Sequence, residues 1–94
     1  MEDITHKPLK EKFYSKGFNF VLIKREKNKA IYKKSATKKN FCYEVIKISR
    51  HNGYSLQGAY VEPAETYPGD KQWGVSGFTY KDLEAAEKHY IKLK

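Results

Sequence analysis

Over the first half of the chain, apolar positions alternate with polar ones rather than recurring at helical spacing. In Phe18-Asn19-Phe20-Val21-Leu22-Ile23-Lys24-Arg25, the side chains of Phe18, Phe20 and Leu22 fall on one face of an extended strand, and the stretch is rich in strand-favouring residues. Lys27-Asn28 follows, and Asn tolerates positive φ, which predicts a tight hairpin there. Lys29 to Lys34 is the returning strand, and Ser35 to Asn40 is a polar, lysine-rich loop. Phe41 to Arg50 carries the strongest strand pattern, with Phe41, Tyr43 and Val45 on one side and Cys42, Ile46 and Ile48 on the other. Apolar residues on both sides predict a central strand, or a bulge near Val45-Ile46. Asn52-Gly53 is a turn signal, and Tyr54 to Val61 is a weaker fourth strand in which Gly58 marks a kink or bulge.

The pattern changes at both ends. Pro8 suits a first helical position, Leu9 and Phe13 are spaced i, i+4, and Gly17 suits a helix end. Residues 8–16 therefore read as a short helix or, equally well, as part of a mobile arm. From Glu62 to Gly77 the chain is loop-like, punctuated by Pro63, Pro68, Gly69, Gly74 and Gly77. Thr79 then reads as an N-cap with Asp82 as its capping-box partner, and Phe78 and Leu83 as the hydrophobic staple. Leu83, Ala86, Tyr90 and Leu93 form one apolar stripe, while Lys81, Glu84, Lys88 and Lys92 face water. The fold class that follows is α+β, an antiparallel sheet of three or four strands covered by a C-terminal helix. An N-terminal arm or short helix over 1–17 precedes a single domain over 18–94.

Composition adds a direction. Eight Tyr and five Phe in 94 residues exclude plain disorder. The net charge is +8, and residues 1–40 hold twelve of the basic and only four of the acidic side chains, so the whole excess lies there. Such asymmetry points to nucleic acid or another polyanion. The candidate contacts are Lys24, Arg25, Lys27 and Lys29 of the hairpin, Lys33 and Lys34 of the returning strand, and Lys38 and Lys39 of the loop. All but two of the 19 basic residues are Lys, which suits phosphate-level, nonspecific contact rather than bidentate base reading. The competing reading is a lysine-decorated edge that blocks sheet-to-sheet aggregation. Tyr32 and Tyr43, on one exposed sheet face, would add stacking surface.

The segment from Glu65 to Tyr80 holds the sole Trp and is the second candidate site. Tyr67, Trp73 and Phe78 read as a partner-binding loop, or Trp73 and Phe78 as anchors folded back on the core, with Gly74 and Gly77 allowing the backbone path. Its glycines match no nucleotide-binding fingerprint. His51 is a conceivable general base near Glu62 or Glu65, though a polar turn histidine is the commoner case. His89 falls on the outer part of the helix near its end. Cys42 is the sole cysteine, so no internal disulfide forms, and it reads as a small buried hydrophobe. No metal or cofactor is expected, because the histidines are far apart and no zinc spacing occurs. No long apolar run or signal core is present, so no membrane association and a cytoplasmic location are expected, the host cytoplasm if phage-encoded.

The Tyr67-Pro68-Gly69, Trp73-Gly74-x-x-Gly77-Phe78-Thr79-Tyr80 and Leu83-Glu84-Ala85-Ala86 pattern resembles small proteins carried by phages and other mobile elements. Trp73-Gly74-x-x-Gly77 before a helix is also similar to the nucleic-acid-binding WGR domain, but Val75 stands where that domain has its signature arginine, so its function is not carried over. The expected function is a non-enzymatic binding module that contacts nucleic acid or a nucleoprotein through its basic half. The alternative, implied by the phage resemblance, is an accessory protein that binds and modulates a host protein, such as an anti-defence or anti-CRISPR inhibitor.

Overall fold

Local turns set the sheet. In the computed structural model, which describes residues 5–93, Lys16 and Gly17 both take positive φ, 53° and 89°. This is the backbone of a two-residue primed turn, and it joins Lys12–Ser15 (β1) to Phe18–Arg25 (β2) as a hairpin. No helix forms over 8–16. The left-handed glycine that would end a helix serves equally as a hairpin turn, and Phe13 stacks on Phe20 across the hairpin with ring centroids 4.6 Å apart. The first four positions of the expected arm, including Glu2 and Asp3, lie outside the described residues.

Lys29–Ser35 (β3) returns from the expected hairpin, closed by the Glu26 N–H donating to Lys29 O at 2.8 Å, without positive φ at Asn28. Phe41–Lys47 (β4) pairs with β3 in unbroken register. Of the two alternatives for its two apolar sides, β4 is the central strand, paired on both edges, and not the bulged one; the irregularity of the sheet lies between Leu22 and Lys24, at Ile23 of β2. The strand expected to run to Arg50 is divided. Ser49–His51 (β5) leaves the main sheet and pairs with Ala64–Thr66 (β8). Between them, Tyr54–Leu56 (β6) and Ala59–Val61 (β7) form a separate hairpin. Its tip is Gln57-Gly58, with φ 49° and 81°, so Gly58 is a turn residue rather than a bulge.

Gly77–Tyr80 (β9) returns beside β4, giving an antiparallel sheet in the order β1-β2-β3-β4-β9. The helix Leu83–Lys92 (α1) starts later than expected, with Asp82 as N-cap and no side-chain cap bond. Thr79 cannot cap it, because Phe78–Tyr80 is held in the ladder with Tyr43–Val45. The architecture is α+β as the pattern predicts, with five strands in the main sheet.

The sheet has a core on each face. On one, α1 lays Ala86, Tyr90 and Leu93 over Ile31 and Val45, with Leu83, Phe78 and Tyr80 alongside. On the other, Phe20, Ala30, Tyr32, Ile46 and Ile48 are covered by Phe13, Tyr67 and Trp73. The segment from Pro63 to Ser76 supplies that second cover, including a 3-10 turn at Asp70–Gln72.

Candidate functional site

The lysine-rich segment is sorted by strand parity. Along β2 and β3 successive side chains alternate faces, and the bulge at Ile23 resets the alternation. Lys24 then lies opposite Ile31 on the helix side, and Arg25 lies opposite Ala30 on the other. Arg25 is thereby committed internally: its guanidinium donates to both Glu65 oxygens at 2.8 and 3.0 Å. Arg50 donates to the same carboxylate at 2.7 Å, and the Leu9 N–H donates to it at 3.1 Å. The Arg25 hydrogen bonds, before all else, hold the Glu65 carboxyl down at about 2. Lys29 is committed too, since its ammonium donates to Tyr90 O and Leu93 O at 2.7 and 2.9 Å, at the helix C-terminus where carbonyls lack their full set of intrahelical partners. Lys34 turns to the aromatic side, 3.6 Å from Glu44 Oε2 and 4.4 Å above the Phe18 ring.

The other five nominated lysines remain on the surface. Lys27 is at the hairpin tip, and Lys38 and Lys39 are on the loop after β3. Thr37 Oγ1 organises that loop by accepting the Lys39 and Asn40 N–H groups at 3.3 and 3.1 Å. Lys24 reaches over the Tyr90 ring at 5.5 Å, and Lys33 sits over the Phe41 ring at 4.3 Å.

Helix α1 packs chiefly on β3, β4 and β9, and away from Lys24 it leaves the helix-side face of β1 and β2 largely open. One row across this bare half reads Tyr14, Asn19, Ser35, Phe41, and the next reads Lys12, Val21, Lys33, Tyr43. Tyr14 is 69% exposed and Phe41 40%. A shallow depression of about 400 Å³ lies beside them, lined by Asn19, Lys33, Ser35, Ala36, Thr37 and Lys38. Lysines and aromatics are therefore interleaved on one surface. The expected aromatic partners are corrected: Tyr32 is buried on the opposite face, its hydroxyl donating to Lys10 O at 2.8 Å, because its register partner is Glu44 and not Tyr43. Lys12, Tyr14 and Phe41 complete this surface, and β1 being a strand is the fact that brings the first two there.

The opposite face carries a cleft of about 490 Å³, walled by Phe13, Phe18, Phe20, Tyr67 and Trp73 with Lys34 and Glu44 among its lining. Tyr67 and Trp73 stack at 6.4 Å, and the Trp73 Nε1–H donates to Thr79 Oγ1 at 2.9 Å. Gly77 is required beneath Trp73, since a Cβ there would lie 2.3 Å from the indole ring. The Tyr67 hydroxyl donates to Glu44 Oε1 at 2.6 Å, and burial, reinforced by that carboxylate, pushes the phenol pKa far up. Tyr67 and Trp73 thus face inward as cover and cleft wall, while Phe78 packs on the helix side against His89 at 4.2 Å. The sequence signal for the cleft is Glu44 itself, a carboxylate on the same strand face as Cys42 and Ile46.

The histidines take structural places. His51 Nδ1 accepts the Gly53 N–H at 3.2 Å, and the Glu65 carboxylate is engaged by the two arginines rather than by His51. His89 is half-buried, not outward, and its Nδ1 hydrogen-bonds the Tyr80 hydroxyl. Burial raises the Cys42 thiol pKa, which disfavours the thiolate. Among the described residues, no cluster of three metal-ligating side chains occurs, and no helix is long and apolar enough to cross a membrane. No family model, curated protein or solved structure matches the chain.

Proposed function

We propose that this chain is a binding module for single-stranded nucleic acid, alone or within a nucleoprotein, held at the phosphate level by the uncovered half of its sheet. The carrying observation is the placement of Lys12 and Lys33 in rows with Tyr14 and Phe41, beside Lys38 and Lys39. Lysines neutralise phosphates and release counterions, while exposed rings stack on bases without reading their identity. Lys24 and Lys27 extend the cationic path along β2 and its hairpin tip. Arg25, Lys29 and Lys34 have internal roles and are left out of the contact.

The test is titration with a fluorescent single-stranded oligonucleotide across a salt series. Six lysine–phosphate contacts give a log–log salt slope of about −4. The Lys33→Glu, Lys38→Glu double variant is expected to flatten that slope by about 1.5 or more, equally for oligonucleotides of different sequence. Its melting temperature should stay close to wild type, because both side chains lie outside the cores. Absence of binding at low salt, or a slope indifferent to the variant, overturns the reading.

A second reading, a phage accessory protein that grips a host protein, draws support from the β6–β7 hairpin. Tyr54, Leu56 and Tyr60 are 48, 58 and 64% exposed there. Pull-down with and without nuclease separates the two: a partner protein retained after nuclease, and lost with Leu56→Asp, favours this second reading.

A further inference from the structure

The aromatic cleft on the opposite face has no part in that contact, and its chemistry is specific. Glu44 is 95% buried at its side chain, since only 5% remains exposed. Its Oε1 accepts from Tyr67, but its Oε2 has no hydrogen bond, only the Lys34 ammonium at 3.6 Å. Among the described residues every fully buried polar side-chain atom has a hydrogen-bond partner, so the unpartnered Oε2 is not fully buried, and Glu44 lines the cleft. The Lys34 ammonium likewise makes no hydrogen bond within the described residues, and it holds its position by the ion pair and the Phe18 ring. A donor and an acceptor thus stand side by side at the inner end of an apolar, aromatic-walled cavity, both with capacity to spare.

We propose that this cleft binds the lactam edge of a flat, purine-sized heterocycle of the guanine type. A lactam places a carbonyl acceptor beside an N–H donor. The carbonyl accepts from Lys34 and the N–H donates to Glu44 Oε2, while the ring body lies along the aromatic wall at Trp73. Charge balance selects an uncharged ring. Lys34 and Glu44 cancel at the inner end, and Lys16 and Asp70 cancel at the mouth, where they pair at 3.4 Å. An organic cation would compete with Lys34 for its place over Phe18, and a phosphate would meet the Glu44 carboxylate. The cleft volume of about 490 Å³ leaves room for a nucleoside. This assignment stands apart from the polyanion reading, because the two surfaces are on opposite faces of the sheet.

Guanosine is the ligand to titrate, followed by calorimetry and by the fluorescence of Trp73, the sole tryptophan and a wall of the cleft. Saturable binding is expected. 1-Methylguanosine, which lacks the lactam N–H, and purine riboside, which has no N–H on that edge, should bind about tenfold or more weakly, since either leaves Glu44 Oε2 without a donor. These comparisons use the unaltered protein, so they do not depend on the folding of any variant. No saturation with guanosine, or equal affinity for all three nucleosides, overturns the proposal. The Lys33→Glu, Lys38→Glu variant should bind guanosine as wild type does, and a loss there also overturns it. Competition by oligo-dA with and without one central guanine identifies the source. A gain from that guanine means a base presented within a strand, and no gain means a free nucleoside.

Discussion

The two covers of this sheet solve the same problem with different materials. Helix α1 satisfies its own backbone and is fastened at two points, Lys29 on its terminal carbonyls and His89 on the Tyr80 hydroxyl. The irregular cover from Pro63 to Ser76 cannot satisfy itself that way. It is held by Glu65 on two arginines and a backbone amide, by Tyr67 on Glu44, and by Trp73 on Thr79. Helix packing closes the face it covers, whereas the irregular cover leaves a cleft beside its aromatic side chains. An irregular segment used as a lid on a sheet thus costs the protein buried polar groups, and it leaves the space in which chemistry can be placed.

The sharpest way to break this contrast is at Glu65. Glu65→Ala leaves Arg25 and Arg50 facing each other without their anion, and the expected loss is about 3 kcal/mol, read as a melting-temperature drop of roughly 15 °C. A drop of only a few degrees would mean that the aromatic contacts alone hold this cover. Acid acts on the same joint. The Glu65 carboxyl is depressed to about 2 from an ordinary carboxylate value, so its contribution is complete above about pH 5 and is lost as pH falls towards 2. Denaturant midpoints of wild type should fall over that window more steeply than those of Glu65→Gln, and parallel curves would remove Glu65 as the cause.

Next in size is Gly77→Ala, which drives a methyl into the Trp73 ring and should cost about 1–3 kcal/mol. The indole emission should shift to the red as the ring moves outward, while the helix signal in circular dichroism persists. Simultaneous loss of both signals would mean that the covers are a single cooperative unit. Smallest is Lys29→Met, which keeps the apolar stem but takes the ammonium donor away from the Tyr90 and Leu93 carbonyls, at about 1 kcal/mol. Amide exchange should quicken in the last turn of α1 and stay unchanged in Tyr67–Ser76.

How much was legible follows the same line. The β2–β3 hairpin, the strength of β4 and the buried stripe of α1 could all be read, because each is a local pattern with one face to bury. The turn at Lys16-Gly17 was not, since left-handed glycine closes a helix and a hairpin alike, and Leu9 and Phe13 suit either. The charge asymmetry was visible, but the fate of each cation was not. One unpaired residue at Ile23 decides whether Arg25 faces the helix side of the sheet or Glu65, and no alternation in the chain announces it. Glu44 is the readable clue to the cleft, a charge among apolar neighbours on a central strand.

The excursion from Ile48 to Ser76 leaves and rejoins the ladder at one place, where the Lys47 N–H donates to Ser76 O at 2.8 Å. Its two ends are therefore neighbours. The three hairpin-linked strands β1 to β3, with β4, have mostly short-range pairings and can form first, while β9 must wait for the whole excursion to close. Closure entropy grows only by about 0.6 kcal/mol per doubling of loop length. Lengthening the β6–β7 tip should therefore slow the arrival of β9 while barely moving the equilibrium, which makes that tip a place where the protein can grow new segments at little thermodynamic expense.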